Sequence, residues 1–292
     1  IRSYKSFIKI FLEWIGKQKA GIYSSMISHA MIVRFMDYVF FERKTPSGED
    51  ISAYTYNGYI KHGSAFFNWM IEKCYCKENH FSKIKRKKTE DKRRILIPEG
   101  TREKIDDYLK ANNPGYLLVL KLIYAGLIRP KELRMLKVGD LSFADKQIRI
   151  RKEVAKNGHE RVVPVSDEVL MSFLDLGVQE AVNSDYLFGQ GYRPGPVMVS
   201  EARMTKTWIS LRKKLNLPKE MQMYSFRDTG MTEMIKNGID PLSVKQLADH
   251  HSLDMTAIYT KHVDPNLREI VISKTPKFSK SEDDDSAVTP TP

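Results

Sequence analysis

A mainly α-helical fold with a small antiparallel β-sheet, divided into two domains, is what these 292 residues predict. Apolar residues recur at helical spacing throughout residues 1–80. A basic stretch without hydrophobic period interrupts the chain at 83–94. Beyond it helical patterns resume, broken once, between 148 and 165, by alternation of period two. Hydrophobic residues make up 41% of the chain, enough for packed cores, and the length suits about two domains of ordinary size.

In the first domain, expected over 1–82, Phe7, Ile10, Phe11 and Trp14 share one helical face, and Ile32, Phe35, Met36, Val39 and Phe40 share another. Ala65, Phe66, Trp69 and Met70 mark a third helix. Ser52 is suited to open it, because its hydroxyl can accept from an unpaired first-turn amide. Thr45-Pro46-Ser47-Gly48 supplies the turn before it. The aromatics read as core, and about four helices are expected.

Residues 83–95 read as a linker. Within 83–94, eight residues are basic and two acidic, a local surplus of +6. Charge alone fits two readings equally. One is a solvated connector. The other is a strap in which Lys83, Lys85, Arg86, Lys87, Lys88, Arg93 and Arg94 follow phosphates and displace their condensed counterions.

The second domain is expected over 96–278. Pro98 suits the first turn of a helix, and Leu117 to Tyr124 forms an apolar helix that Gly126 is placed to end. Residues 130–137 read as helical. Ile148 to Arg151 then alternates, Asn157-Gly158 signals a hairpin turn, and Arg161 to Val165 pairs back. Helices are expected near 167–182, 201–214, 226–237, 241–249 and 255–261. Asn266 to Ile272 is apolar enough to want burial, on its own domain or on a neighbouring protomer. The Ser/Asp/Pro/Thr-rich stretch 279–292 is expected to be disordered.

The formal net charge of +12 favours a polyanionic partner. No run of about 18 apolar residues is present, so no membrane-spanning helix is expected. Cys74 and Cys76 are too close for an unstrained mutual disulfide. His80 lies nearby, but a structural zinc needs four ligands and no second Cys/His pair accompanies this one. Two reduced thiols in a cytoplasmic protein, with no metal and no cofactor, are the expectation. The start, Ile1-Arg2-Ser3-Tyr4, reads as neither initiator nor signal peptide, which fits a chain with an upstream part removed.

Four separated segments carry the chemistry. They are Gly126-Leu127-Ile128-Arg129-Pro130-Lys131-Glu132-Leu133, then Lys156 to Arg161 on the hairpin, then Tyr224-Ser225-Phe226-Arg227-Asp228-Thr229-Gly230. The last is Leu247-Ala248-Asp249-His250-His251-Ser252 with Thr256-Ala257-Ile258-Tyr259. Each has a plain structural reading. Arg129 can pair with Glu132 along one helix face. Lys156 on a hairpin tip can be merely solvated, with Lys152 as a rival. Tyr259 is one of fourteen tyrosines.

In this order the segments resemble the tyrosine recombinase, or phage integrase, family. Its pattern is an arginine in Arg-x-x-Glu-Leu, a hairpin lysine, a His-x-x-Arg box, and a His or Trp followed nine residues later by tyrosine. His250 and Tyr259 have that spacing. The resemblance is strong over about 115–262. It extends to residue 1, where the helical domain resembles the family's SAM-like core-binding domain. It implies the family's DNA breaking-rejoining fold, a clamp around double-stranded DNA, and a homotetramer that brings two sites together. Departures are Tyr224 where His is usual, Asp228 where His is common, Asp249 for a usual Gly, the extra Ile128, and His80 for Pro.

The resemblance implies roles that the chemistry supports. Arg129 and Arg227 would grip the non-bridging phosphate oxygens and offset charge in the transition state. Glu132 would orient Arg129, and Asp228 would hold Arg227. Tyr259 would attack phosphorus, Lys156 protonate the departing 5′ oxygen, and His250 accept a proton. Tyr224, a poor base, would donate a hydrogen bond to the phosphate. Two other readings are a type IB topoisomerase-like enzyme that reseals one duplex, and a DNA-binding regulator that never cuts.

Overall fold

The structure, a computed structural model, describes residues 2–18, 23, 26–89, 95–252 and 256. The chain divides into two compact units, 1–92 and 93–292.

The first unit contains helices α1 (Arg2–Gln18), α2 (His29–Asp37) and α3 (Ala53–Glu72), with a π-helical turn over Tyr38–Glu42 continuing α2. Phe7, Phe11 and Trp14, at i, i+4 and i+7 of α1, point together into the core. There the rings of Phe11 and Phe35 meet edge to face at 4.9 Å. Ser28 and Ser52 cap α2 and α3 by accepting from the amides of Met31 and Thr55. Among the described residues there are three α-helices here, not four. The chain after α3 is irregular backbone, and the Asn79 side chain ties it down. It donates to the Ser64 carbonyl at 3.0 Å and accepts from the Phe81 amide at 3.0 Å. Phe81 then seats on Gly63, where any β-carbon would come within 2.5 Å of its ring.

The basic stretch begins on this unit. The Asn57 amide donates to the Lys87 carbonyl at 2.8 Å and accepts from the Lys87 amide at 2.9 Å. The Lys87 ammonium lies 3.6 Å from the centre of the Phe40 ring and 5.1 Å from that of Tyr56. Lys87 is thus half-buried and packed against aromatics. Lys83, Lys85, Arg86 and Lys88 are exposed, while Arg93 and Arg94 lie outside the described residues.

The second unit orders α4 (Glu99–Asn112), α5 (Pro114–Tyr124), α6 (Pro130–Met135), β1 (Leu141–Ser142), β2 (Gln147–Ile150), β3 (Arg161–Pro164), α7 (Asp167–Asp175), α8 (Glu201–Lys214), α9 (Ser225–Lys236) and α10 (Pro241–Ala248). Helix α5 is its axis. Residues 115–120, 122 and 123 are all buried, and α4, α7 and α9 pack around it. A helix apolar on every side belongs at the centre of a domain. Helix α9 lies so close to α5 that a β-carbon on Gly230 would stand 2.0 Å from the Tyr124 carbonyl oxygen. Thr229 also accepts from the Ile97 amide at 2.9 Å, and Glu233 accepts from Arg102 at 2.8 Å. The start of the second unit is thereby tied to the helix that carries Arg227.

Three local expectations change. Pro98 caps α4 from outside, with extended ψ of 153°, instead of occupying its first turn. After α5 the left-handed residue is Leu127, at φ 48°, and not Gly126. Its fully buried side chain packs with Met231, Ile235, Val244 and Ala248, and that burial offsets the backbone strain. The hairpin is also longer than a tight turn. Ile150 pairs with Arg161 and Gln147 with Pro164, so residues 151–160 form a ten-residue connection. Asn157-Gly158 sits within it, with Gly158 at φ 71°. The preceding strand β1, antiparallel to β2, completes an order β1-β2-β3. The expected segments 255–261 beyond Thr256, 266–272 and 279–292 lie outside the described residues. Among the described residues no helix is long and apolar enough to cross a membrane.

Candidate active site

The site is organised by a buried carboxylate. Glu132 stands one turn into α6, and its side chain is 1% exposed. A carboxylate there must be fully hydrogen-bonded to remain charged. It accepts from the Arg129 amide at 3.1 Å and from Arg129 Nη1 at 2.9 Å. It also accepts from Arg161 Nη2 at 2.6 Å and from the Lys156 amide at 3.1 Å. Burial by itself would raise its pKa. The Arg161 hydrogen bond and charge, the Lys156 amide and Arg129 together outweigh burial and hold the group down to about 2. One carboxylate thus sets the orientation of Arg129 and docks the β2–β3 loop that carries Lys156.

Arg129 has a second set of partners. The C-terminus of α10 ends on Asp249, in the left-handed conformation at φ 52°, ψ 52°. The Asp249 carbonyl accepts from Arg129 Nη2 at 2.7 Å and from Asn157 Nδ2 at 2.8 Å. Its carboxylate accepts from Arg129 Nη1 at 2.7 Å. Loop, α6 and α10 therefore converge on one guanidinium.

Arg227 enters from α9 and is fully buried. Its Nη2 donates to the Ala248 carbonyl, next to Asp249. Its Nε and Nη1 are buried and have no partner among the described residues. Burial, with a smaller contribution from Arg129, lowers its pKa to about 10 against the raising influence of Tyr224. Arg227 still carries its charge at neutral pH. The Tyr224 ring lies 5.9 Å from the Arg227 guanidinium carbon. Asp228 is buried on the same helix.

His250 follows Asp249, and its Nδ1 is 3.1 Å from the Thr256 hydroxyl. Burial, then Arg227 and Arg129, push its pKa down to about 4, so the ring is neutral near pH 7. The Lys156 side chain is exposed at the edge of this cluster. Lys152 is exposed too, but of these two lysines it is Lys156 whose amide is bound to Glu132. Tyr259 lies outside the described residues.

The structure thus brings Arg129, Glu132, Arg227 and His250 together, with Lys156 on the adjoining loop and Tyr224 facing Arg227. Three contributors escaped the sequence reading. Arg161 looked like a strand residue, yet its side chain is an anchor of Glu132. Asn157 looked like a turn residue, yet it binds the Asp249 carbonyl. Asp249 registered only as a departure from glycine. The signal was that glycine itself, since a preferred Gly marks a left-handed position with an exposed carbonyl. Among the described residues no group of three or more His, Cys, Asp or Glu could hold a metal ion.

Clustered arginines holding unfilled donors, on a mainly helical scaffold with one small sheet, define an enzyme that handles phosphate anions. The chain belongs to the phage integrase family, whose sequence model matches residues 101–265, and it is accordingly a tyrosine recombinase, an enzyme of site-specific DNA recombination. A tyrosine recombinase of Thermosipho africanus (strain TCF52B) is 26% identical over 269 residues, covering 89% of this chain and 87% of the relative. Two solved structures share the fold. The Tn1549 transposon integrase in complex with circular intermediate DNA aligns with a TM-score of 0.65 at 17% identity, covering 89% of this chain and 90% of that one. A lambda integrase dimer bound to a COC′ core site aligns with a TM-score of 0.67 at 17% identity, covering 88% of this chain and 69% of that one.

Proposed function

We propose that this protein cuts and rejoins duplex DNA through a 3′-phosphotyrosine on Tyr259. The observation that carries the reading is the pair of buried, unpartnered donors on Arg227 beside the guanidinium of Arg129. A buried cation with unfilled donors is destabilised until an anion fills them. A phosphodiester, anionic and rich in acceptor oxygens, is an anion of the right chemistry.

In the proposed step the Tyr259 phenol oxygen forms a bond to phosphorus as the bond from phosphorus to the 5′ oxygen breaks. Lys156 gives its proton to that oxygen, leaving a 5′ hydroxyl. The phenol proton passes to His250, whose neutral ring is able to accept it, or to water. Arg129 and Arg227 offset the charge that grows on the non-bridging oxygens, and Tyr224 donates a hydrogen bond to one of them. A 5′ hydroxyl from another strand reverses the sequence, so no nucleotide cofactor is consumed. Glu132 holds Arg129 and the Lys156 loop in place. Asp228 is proposed as a support for Arg227.

The likeness to integrases bound to DNA supports DNA as the substrate, and a homotetramer is proposed as the working assembly from the family resemblance. A cytoplasmic role in moving a phage or other mobile element fits that reading. The test uses a pool of nicked duplexes with randomised cores, in which cleavage releases a short strand and traps the intermediate. The parent should form an adduct that survives denaturant, with a free 5′ hydroxyl on the released strand. Tyr259→Phe should form none. Adduct formation by Tyr259→Phe would overturn the nucleophile. Intact binding without any adduct by the parent would favour a non-cutting regulator.

A further inference from the structure

We infer that the Asp249 carboxylate is a resident counter-anion that competes with the DNA phosphate for the site's arginines and so restrains phosphate capture. The inference rests on the phosphate-binding reading of Arg129 and Arg227 proposed above.

The backbone and the side chain of Asp249 do different things. The carbonyl holds Arg129 Nη2 and Asn157, and a glycine at φ 52°, ψ 52° would present the same carbonyl without steric strain. Closing α10 and fixing the loop therefore do not need a carboxylate. The side chain does something else. It is 11% exposed and lies 2.7 Å from Arg129 Nη1 and 3.9 Å from Arg161 Nη1.

A guanidinium has five N–H groups. On Arg129, Nη1 serves Glu132 and Asp249, and Nη2 serves the Asp249 carbonyl. One Nη2 hydrogen and Nε remain for a ligand, instead of the fuller set that a glycine at 249 would leave. On Arg227, Nε and Nη1 remain.

Glu132 and Asp249 lie in the shared field of Arg129 and Arg161, with Arg227 beside them. Glu132 is locked by Arg129, Arg161 and the Lys156 amide, so it is structural. Asp249 is bound through Arg129, at the rim where an incoming phosphate must share the same positive field. Because both are anions in a partly desolvated site, each weakens the other's binding.

Calorimetric titration of the full chain with inorganic phosphate, at fixed ionic strength, tests this without knowledge of the target sequence. Asp249→Asn keeps the side chain's shape and removes its charge, and it should bind phosphate about tenfold more tightly than the parent. Asp249→Gly, which relieves the backbone, should do the same, and it keeps the test open if the Asn variant folds poorly. Asp249→Glu, with charge retained, should stay within about twofold of the parent. Equal or weaker phosphate binding by both neutral variants overturns the inference and leaves Asp249 as a positioning residue only. Adding Arg227→Ala to Asp249→Asn should abolish the gain. If phosphate affinity is indifferent to Arg227→Ala, the phosphate site itself is misassigned and the inference falls with it.

Discussion

Glu132 and Arg161 meet at 2.6 Å, with side chains 1% and 8% exposed, in an ion pair that joins helix α6 to strand β3. The pair lies under both Arg129 and the Lys156 loop, so it couples stability to the geometry of the site. Glu132→Gln takes from buried Arg161 its close carboxylate partner and leaves Arg129 with Asp249 alone. Loss of one partner of such a pair costs about 3–5 kcal/mol. Urea unfolding should show that loss, and the variant's Arg129 should keep Asp249 as its carboxylate partner.

The same carboxyl sets an acid limit. Its pKa of about 2 in the folded state lies below the ordinary value of 4.5. The unfolded chain therefore binds the proton more readily, and stability from this group is complete above about pH 4.5. It is lost as pH falls through about 2, a total of about 3 kcal/mol. The difference in unfolding free energy between parent and Glu132→Gln, followed from pH 6 to 2, should shrink by roughly that amount. A difference that stays constant with pH contradicts the assignment.

His250 has the opposite chemistry but the same sign. Its folded pKa of about 4 is below the ordinary 6.5, so between these values the unfolded chain holds more protons. Its contribution to stability is complete above about pH 6.5 and declines as pH falls toward 4. By ring-proton NMR, its midpoint should lie near 4 in the free protein and move upward when inorganic phosphate binds, because the anion offsets Arg227 and Arg129. Replacing Arg129 by Gln should move it upward without phosphate. A midpoint near 6.5 in the free protein would place His250 away from the arginines.

Much of this arrangement is legible in sequence where a local rule decides it. Ser52 opens α3 and residues 201–214 form α8 because caps and apolar periodicity are properties of neighbouring residues. Arg129 and Glu132 are legible for the same reason, three residues apart on one helix start. What escapes is decided by distant partners. Asn79 fixes the irregular chain after α3 to α3 through a side-chain bond to the Ser64 carbonyl, 15 residues away. Leu127, rather than Gly126, takes the left-handed backbone because its burial against α9 and α10 decides the matter. Arg161 and Asp249 enter the site through pairings 29 and 120 residues along the chain, which no local pattern encodes.

Two glycines make close contacts of different kinds, and they should respond differently to alanine. At Gly230 the added β-carbon meets the Tyr124 backbone carbonyl at 2.0 Å, and the backbone of α5 cannot give way cheaply. At Gly63 it meets the Phe81 ring at 2.5 Å, which a side-chain shift can relieve in part. Gly230→Ala should therefore lower stability by about 3 kcal/mol or more, toward the upper end for overpacking, and Gly63→Ala by about 1–2 kcal/mol. Since Gly230 lies one turn beyond Arg227, its variant should also lose adduct formation at temperatures where it remains folded. Thermal melts paired with the suicide-duplex assay check both parts.

The basic stretch separates into lysines that can meet phosphate and one that is already engaged. Lys83, Lys85 and Lys88 are exposed, whereas Lys87 caps the Phe40 and Tyr56 rings. If the stretch follows DNA, each exposed lysine that neutralises a phosphate contributes about 0.9 to the slope of log affinity against log salt. Lys83→Ala, Lys85→Ala and Lys88→Ala should each reduce that slope by up to this amount, measured with a non-specific duplex. Lys87→Ala should leave the slope unchanged while destabilising the first unit by about 1 kcal/mol through loss of the cation–π contacts. A cation over an aromatic face cannot also be the counterion of a phosphate beyond reach of its stem. A slope reduced as much by Lys87→Ala as by its neighbours would mean that the ammonium leaves the rings when DNA binds.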